Sequence, residues 1–560
     1  MGVPKFFGYL LKKYKKDDFF IHRETTNSPI KHKLDGINYL MCDANGLMHP
    51  VCFKVINEHP NMTNQKDLQI IMHKAIISKI EELIEYVKPT KGVYIAIDGV
   101  APAAKMRQQR YRRFHSVSEK NLFDKLKKKY NKPISNPWNN SVITPGTKFM
   151  SSLHEKLLIW SKQYSEKTKL EIIYSSCYTP GEGEHKLIKF MKTNNCSYVI
   201  HGLDADLIFL CLTTHKNNIY LLREANEIDS RDTNTYLKFV IMDKLRQVIP
   251  ETMKTFMEFK NVDDNKLIND FIVLCYLLGN DFLPHLHAID ISNNGIEVIL
   301  QIYGSNYKNY LVNDNHINEQ FLLHIFEGLS IKEEHILYEK YHENTFKRRI
   351  SGDLYEKEKY YIENLLFKID DPIKIGFDNH TSWRERYYKH YWDLEKDEIE
   401  LFAKKLVYHY VMGLKWVTLY YFDDCPSWDW YYPFDYPPFI SDIAIYLKEL
   451  NLHNIEFTKS SPVHPHIQLL TVLPPQSSFI LPKHLQQLTS NKMSPLIYLY
   501  PVEIDHDYIG KHKYYQGIPK LPPMDIELVK DIYRKYSNKL SKEDISSSVK
   551  LDDFYFGLKN

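Results

Sequence analysis

Apolar runs in the first half of this chain end on carboxylates, and that placement constrains its fold more than any other feature. Asp43 closes the run in INYLMCDANG, Asp98 closes GVYIAIDG, and Asp281 follows CYLLGN in CYLLGNDFLPH. Two further pairs stand two residues apart: Glu182 and Glu184 in TPGEGEHK, and Asp204 and Asp206 in VIHGLDADLIFL. A carboxylate at the end of a buried strand is costly unless something compensates it. Seven such groups on one sheet edge repel one another. Divalent cations would remove that repulsion, and an all-oxygen ligand set suits Mg²⁺ or Mn²⁺. Two such ions about 4 Å apart are a common arrangement for cleaving phosphodiesters.

The runs themselves predict strands over residues 37–42, 92–97, 170–175, 197–201 and 219–222. Helical periodicity separates them, over 68–86 and 149–167, with a third helix opening at Glu182 and Glu184. Strands alternating with helices imply an α/β fold with a doubly wound, mostly parallel sheet. Ligands of such sheets bind beyond the carboxyl ends of the strands, where Asp43, Asp98, Asp204 and Asp206 fall. Taken singly, an Asp at a strand end can equally cap the next helix, and Asp98 before Gly99 is open to either reading. Asp204 and Asp206 are expected on an extended segment, facing one side. Glu182 and Glu184 are expected at a helix N-terminus, where the dipole favours anions.

From about 264 to 420 the pattern is mostly helical, with a dense charged stretch at 331–361. The division expected is a catalytic α/β core over 1–300, a charged helical connection over 301–420, and an aromatic- and proline-rich region over 421–540. A weakly structured tail is expected over 541–560. The net charge of the 560 residues is only +3, so a nucleic-acid site must come from local basic clusters. Seven scattered cysteines without CxxC spacing argue against disulfides or zinc and fit a reducing compartment. No apolar run approaches the ~20 residues that span a bilayer. An intracellular, cytoplasmic protein without a membrane partner is the expectation.

One basic cluster follows Asp98 directly. In AKMRQQRYRRF, Lys105, Gln109, Arg112 and Arg113 fall on one helical face. A charge run is most often a solvated face, but here it adjoins a candidate metal ligand, and a terminal phosphate becomes a credible occupant. Arg offers a planar fork to phosphate oxygens, Lys a point charge and Gln a neutral donor. The run at 125–132 reads as a loop or as a further nucleic-acid contact. An aromatic block, CPSWDWYYPFDYPPF, carries Trp428 and Trp430; most of it reads as core, with one indole available for stacking on a base. His49, six residues after Asp43, is a structural histidine or a neighbour of the metals.

These motifs are long enough to carry a resemblance. MGVPKFF at residue 1, CDANGLMH, IDGVAPAAKMRQQRYRRF, TPGEGEHK, HGLDADLIFL and FIVLCYLLGNDFLPHL resemble the first block of the Xrn family of 5′→3′ exoribonucleases. GLKWVTLYYFDDCPSWDWYYPFDYPPFISD, HIQLLTVLPPQSSFILP and SPLIYLYP resemble its second block. The resemblance implies a sheet of the 5′-nuclease or PIN-like type followed by a largely helical second region. It implies that Asp43, Asp98, Glu182, Glu184, Asp204, Asp206 and Asp281 hold two Mg²⁺ ions. It further implies that Lys105, Gln109, Arg112 and Arg113 bind an RNA 5′-monophosphate. His49 corresponds to a base-stacking residue, and either Trp428 or Trp430 to a second. The implied substrate is single-stranded RNA degraded processively to mononucleotides by a monomeric enzyme, as in mRNA decay, with capped and triphosphorylated ends excluded by a closed pocket.

Two departures stand out. Position 103 is Ala where relatives carry Arg, which removes one basic residue beside the expected pocket. The chain also stops soon after the second block, without the long extension of the cytoplasmic branch or the zinc-knuckle cysteines of the nuclear one. The alternatives are a structure-specific flap endonuclease on DNA and a catalytically silent RNA-binding protein. FLPHLHAIDISNNGIEV lacks the Gly-rich turn of the first, and the filled acidic set argues against the second.

Overall fold

The computed structural model describes residues 3, 5–14, 20–21, 34, 36–62, 64–134, 138–202, 204–224, 237–305, 307–343, 351–546 and 550–557. Strands β1 (Phe20–Ile21), β2 (Tyr39–Asp43), β3 (Gly92–Ala96), β4 (Glu171–Ser175), β5 (Tyr198–His201), β6 (Ile219–Glu224) and β7 (Leu237–Ile241) join a C-terminal strand, Phe554–Phe556, in one eight-stranded sheet. The spatial order is β1-β7-β6-β5-β2-β3-β4 and then the C-terminal strand. The five central strands, β6 to β4, run parallel; β7, β1 and the C-terminal strand are antiparallel additions at the edges. YLMCD of β2 and GVYIA of β3 are buried at every residue. That is the pattern of a sheet covered on both faces, and it explains why these strands read as unbroken apolar runs.

Helices α1 (Phe6–Lys13), α2 (Ala44–Glu58), α3 (Gln65–Val87), α4 (Ala103–Lys129), α5 (Lys148–Thr168), α6 (Gly183–Thr193) and α7 (Asp206–Thr213) belong to this half. Asn64 and Thr147 cap α3 and α5 by accepting from the main-chain N–H groups of Lys66 and Met150. The chain leaves β2 towards β3 and β4 on one side and returns through β5 and β6 on the other. The resulting crevice lies between β2 and β5, at the carboxyl ends of the strands. Gly99 lets two loops close there. A Cβ at this position would stand 1.9 Å from the Thr179 carbonyl oxygen, so only glycine permits the contact that brings Asp98 to the α6 entrance.

The second half is mainly helical, including Glu319–His342, Ile399–Phe422, Pro465–Val472 and Ile526–Ser537. The boundaries expected at 300 and 420 do not divide cores: one apolar cluster runs from Val3 to Ile455. The tail expected to be weakly structured contains the helix Lys542–Ser546 and the strand Phe554–Phe556. That strand pairs Tyr555 with Ile173 on β4, and Asp553 accepts from the Tyr94 hydroxyl at 2.6 Å. The lysine run at 125–132 is helical to Lys129, the end of α4, and then turns; Lys129 and Lys132 lie 2.7 Å from Glu358 and Asp353. Among the described residues no helix is long and apolar enough to cross a membrane.

Candidate active site

The carboxylates come together at the crevice. Asp43 is the last residue of β2 and Asp98 follows β3 by two positions. Glu182 precedes α6, whose first turn carries Glu184. Asp206 opens α7, and its main-chain N–H donates to Asp204 Oδ1 at 3.3 Å. The Asp204–Asp206 segment is therefore a turn into a helix, not the extended stretch expected, because the Asp204 side chain takes up an N–H that a strand would pair elsewhere. Asp98 Oδ1 accepts from Gly183 N at 2.6 Å, and Asn45 Oδ1 accepts from Asp98 N at 3.1 Å. A Cβ on Gly183 would come within 3.1 Å of Asp43 Oδ1, so this glycine keeps space between two of the acids.

The electrostatics follow from this crowding. Burial, reinforced by Asp98, holds the Asp43 carboxyl well above its ordinary value. Burial and Glu182 raise Asp98; burial, Asp204 and Glu182 raise Glu184. Asp206 is pushed up to about 8 by burial, then by Asp204 and Asp281. Among the described residues, the cation bonded to these acids is Lys105, whose Nζ lies 2.5 Å from Glu182 Oε2 and 2.9 Å from Asp281 Oδ2. Burial opposes the charge on Lys105, but Glu182 and Asp281 outweigh it and keep the ammonium protonated. Lys105 in turn holds Asp281 well below the usual carboxylate range against its burial. The buried Lys186 points away and donates to the carbonyls of Ile97 and Ser176 at 2.6 and 3.0 Å.

Lys105 alone does not balance seven carboxylates. The donor set fits hard divalent cations: Glu182, Glu184 and His185 offer ligand atoms within 4.8 Å of one another. His185 is held neutral, down to about 4 by burial, and packs on Tyr420 with ring centroids 4.0 Å apart. The Tyr420 hydroxyl donates to Glu182 Oε1 at 2.8 Å and fixes that carboxylate from the helix Ile399–Phe422.

A cleft of about 1490 Å³ opens from Asp43, Asp98, Glu182, Glu184 and Asp204. One face of α4 lines it with Lys105, Gln109, Arg112 and Arg113, as the helical spacing predicted. Lys105 differs from expectation in pairing with the acids, which places it at the junction of the acidic and basic zones. The Arg113 guanidinium is deeply buried and donates through Nη2 to Thr144 Oγ1 at 2.8 Å, while its Nη1 has no hydrogen-bond partner among the described residues. Burial and then Arg112 lower it to about 9. Gln468 Nε2 donates to Gln109 Oε1 at 3.2 Å, which turns the Gln109 amide NH₂ away from that contact. His49 lines the same stretch, held neutral near 4 by burial and by Arg112 and Arg113.

Other expected residues lie elsewhere. Neither Trp428 nor Trp430 lines the cleft. Trp430 is stacked on Trp416 at 5.2 Å, inside the aromatic core, and the Trp428 carbonyl accepts from Ala103 N at 2.8 Å. Ala103 is itself buried in an apolar cluster with Met106, Phe114 and Leu469, so the change at this position does not alter the cleft wall. Among the described residues the cleft also continues beyond the arginines, to Phe53, Trp138 and Lys120. Sequence reasoning missed Asn45 and Lys186, although both sit inside the quoted motifs. It also missed Tyr420 and Gln468, which lie inside quoted motifs of the second block, and Thr144 and Arg223, which lie outside them.

Residues 1–225 match the XRN 5′-3′ exonuclease N-terminus, and 261–368 and 367–559 match the Xrn1 helical domain. The chain is 27% identical to 5′-3′ exoribonuclease 2 of Candida albicans, over 98% of this chain and 74% of that protein. It is 27% identical to 5′-3′ exoribonuclease 2 of Arabidopsis thaliana, over 99% and 69%. Human 5′-3′ exoribonuclease 1 is 28% identical over 97% of this chain and 34% of its own length. A solved structure, the catalytic core of Rad2 in complex with DNA substrate, aligns over 64% of this chain and 81% of its own, at 14% identity and a TM-score of 0.28, too weak a likeness to carry an argument. With acids at the strand ends, a basic wall beside them and matches over both halves, this chain belongs to the XRN 5′→3′ exonuclease family.

Proposed function

We propose that the chain degrades single-stranded RNA from a 5′-monophosphate end, one nucleotide at a time, to 5′-mononucleotides. The observation that carries this reading is the basic wall of the cleft, where Arg112 and Arg113 stand beside the carboxylates and Arg113 Nη1 has no hydrogen-bond partner among the described residues. A buried guanidinium nitrogen without a protein acceptor suits an anionic ligand. Arg112, Arg113 and the Gln109 amide bind the terminal phosphate. His49, a neutral ring, stacks on the first base. Asp43, Asp98, Glu182, Glu184, Asp204, Asp206 and Asp281 would hold two Mg²⁺ or Mn²⁺ ions, with Lys105 beside Glu182 and Asp281. When bound, such ions supply an activated water and neutralise charge building on the scissile phosphate. Each cleavage leaves a new 5′-phosphate for the same donors, which favours repeated turnover on one strand. A monomer in the cytoplasm completes the reading, and the seven unpaired cysteines support a reducing compartment.

The test uses one 3′-labelled single-stranded RNA carrying a 5′-monophosphate, 5′-triphosphate or 5′-hydroxyl, with Mg²⁺ or EDTA. Fast loss of the monophosphate form with release of mononucleotides, blocked by EDTA, is the expected result. Equal decay of all three forms would refute the phosphate site. Decay that persists in EDTA would refute the metal assignment.

A further inference from the structure

We infer that the outer end of the cleft is a binding site for the released nucleoside 5′-monophosphate, and that product leaves there while the strand stays in place. The inference rests on the proposed direction of the RNA. Two helices wall the cleft, and its chemistry changes along them. From Asp43 at the end of β2 the lining passes along α2 through His49 to Phe53; on α4 it passes from Lys105 through Arg112 and Arg113 to Lys120. At 1.5 Å per residue, Phe53 stands about 15 Å beyond Asp43 and Lys120 about 22 Å beyond Lys105. The order is carboxylates, then arginines, then an aromatic rim with one exposed lysine.

The rim is built rather than incidental. Phe53 is 46% exposed and meets Trp138 edge-on, with centroids 5.8 Å apart and planes at 83°. Phe479, 60% exposed, lines the same mouth. Asn139 Nδ2 donates to Ser477 Oγ at 2.8 Å and ties the loop after Trp138 to the turn before Phe479. Exposed large rings gathered at one opening call for an occupant.

The geometry selects that occupant. With the terminal phosphate at Arg112 and Arg113, the next phosphodiester lies at the carboxylates. The strand then continues towards the opposite end of the cleft, lined by Phe7 and Arg223. The rim therefore lies on the far side of the terminal phosphate from the strand. Once the first nucleotide is cut free, RNA blocks its way inward and the rim is the open route. A nucleotide carries a phosphate dianion and a π-face. Lys120 and Arg112 match the first, and Phe53 and Trp138 match the second.

The test titrates AMP into the full chain without RNA by calorimetry, and measures AMP inhibition of RNA degradation. Phe53→Ala and Trp138→Ala should each weaken AMP binding and inhibition about tenfold, the loss of one base-stacking contact. Trp138→Phe should restore most of it, which separates stacking from a folding defect. Unchanged AMP binding in the folded alanine variants would overturn the site and leave AMP at the arginines. Loss of affinity for single-stranded RNA in EDTA, with AMP binding intact, would also overturn it and assign the rim to the strand. Calorimetry without RNA reports on the rim whatever the 5′-end preference proves to be, so the two readings fail separately.

Discussion

Two arginines of α4 stand three residues apart and have different surroundings. Arg110 points into the second half, where Nη1 donates to the Thr471 carbonyl at 3.0 Å and Nη2 to the Leu499 carbonyl at 2.6 Å. Arg113 lines the cleft, bonded to Thr144 through one terminal nitrogen and without a hydrogen-bond partner at the other among the described residues. Both guanidinium groups are buried. A buried charge whose terminal donors meet main-chain carbonyls serves the fold. Arg113 lines the cleft, and the phosphate role proposed for it rests on that position, since Arg110 Nε also lacks a hydrogen-bond partner among the described residues. One helix thus ties two halves of the chain together through Arg110 and lines the cleft with Arg113, although the two side chains start only about 60° apart around the helix.

The largest expected effect lies with the acids next to that site. Asp206→Ala should cut RNA turnover at least about 1000-fold, roughly 4 kcal/mol of barrier, while 5′-phosphorylated RNA still binds. Turnover near that of the parent protein would remove Asp206 from the metal set. Next, Arg110→Ala should cost about 3 kcal/mol of stability, read by denaturant unfolding, since two carbonyls lose a charged donor. The folded fraction should keep its 5′-end preference; a loss of that preference would erase the contrast between the two arginines. Arg113→Met should do the reverse. It should leave stability within about 1 kcal/mol, because a partly unsatisfied buried charge is replaced by an apolar chain. It should reduce monophosphate over hydroxyl preference about tenfold, in competition assays with both RNAs. The smallest effect is at the sheet edge, where Asp553→Asn should lower stability by about 1 kcal/mol through its bond to Tyr94. A loss as large as that of Arg110→Ala would show that the C-terminal strand is part of the central core.

Asp43 and Asp98 were legible because each follows an apolar run that announces a strand, whereas the run before Asp281 is the helix Asp264–Tyr276 and Glu182 and Glu184 open a helix. The five parallel strands were found within two residues at either end for the same reason. The short edge strands β1 and β7 and the strand Phe554–Phe556 were not, since antiparallel additions depend on pairing partners far away in sequence. Trp428 and Trp430 show the same limit inside the candidate site. Composition marked the block as aromatic, but only packing against Trp416 and Phe457 showed that Trp430 faces inward.

The chain by itself determined the alternation of strands and helices, the carboxylates at the strand ends and the basic stripe on α4. These follow from local periodicity and from the backbone geometry of each element. Tertiary structure alone decided that Lys105 neutralises Glu182 and Asp281 rather than joining Arg112 and Arg113. It also decided that Tyr420 and Gln468 reach the site from the second half, and that the cleft runs on past the arginines to Phe53 and Trp138. Those outcomes depend on distances between residues far apart in the chain, and no local pattern encodes such distances before the two halves pack.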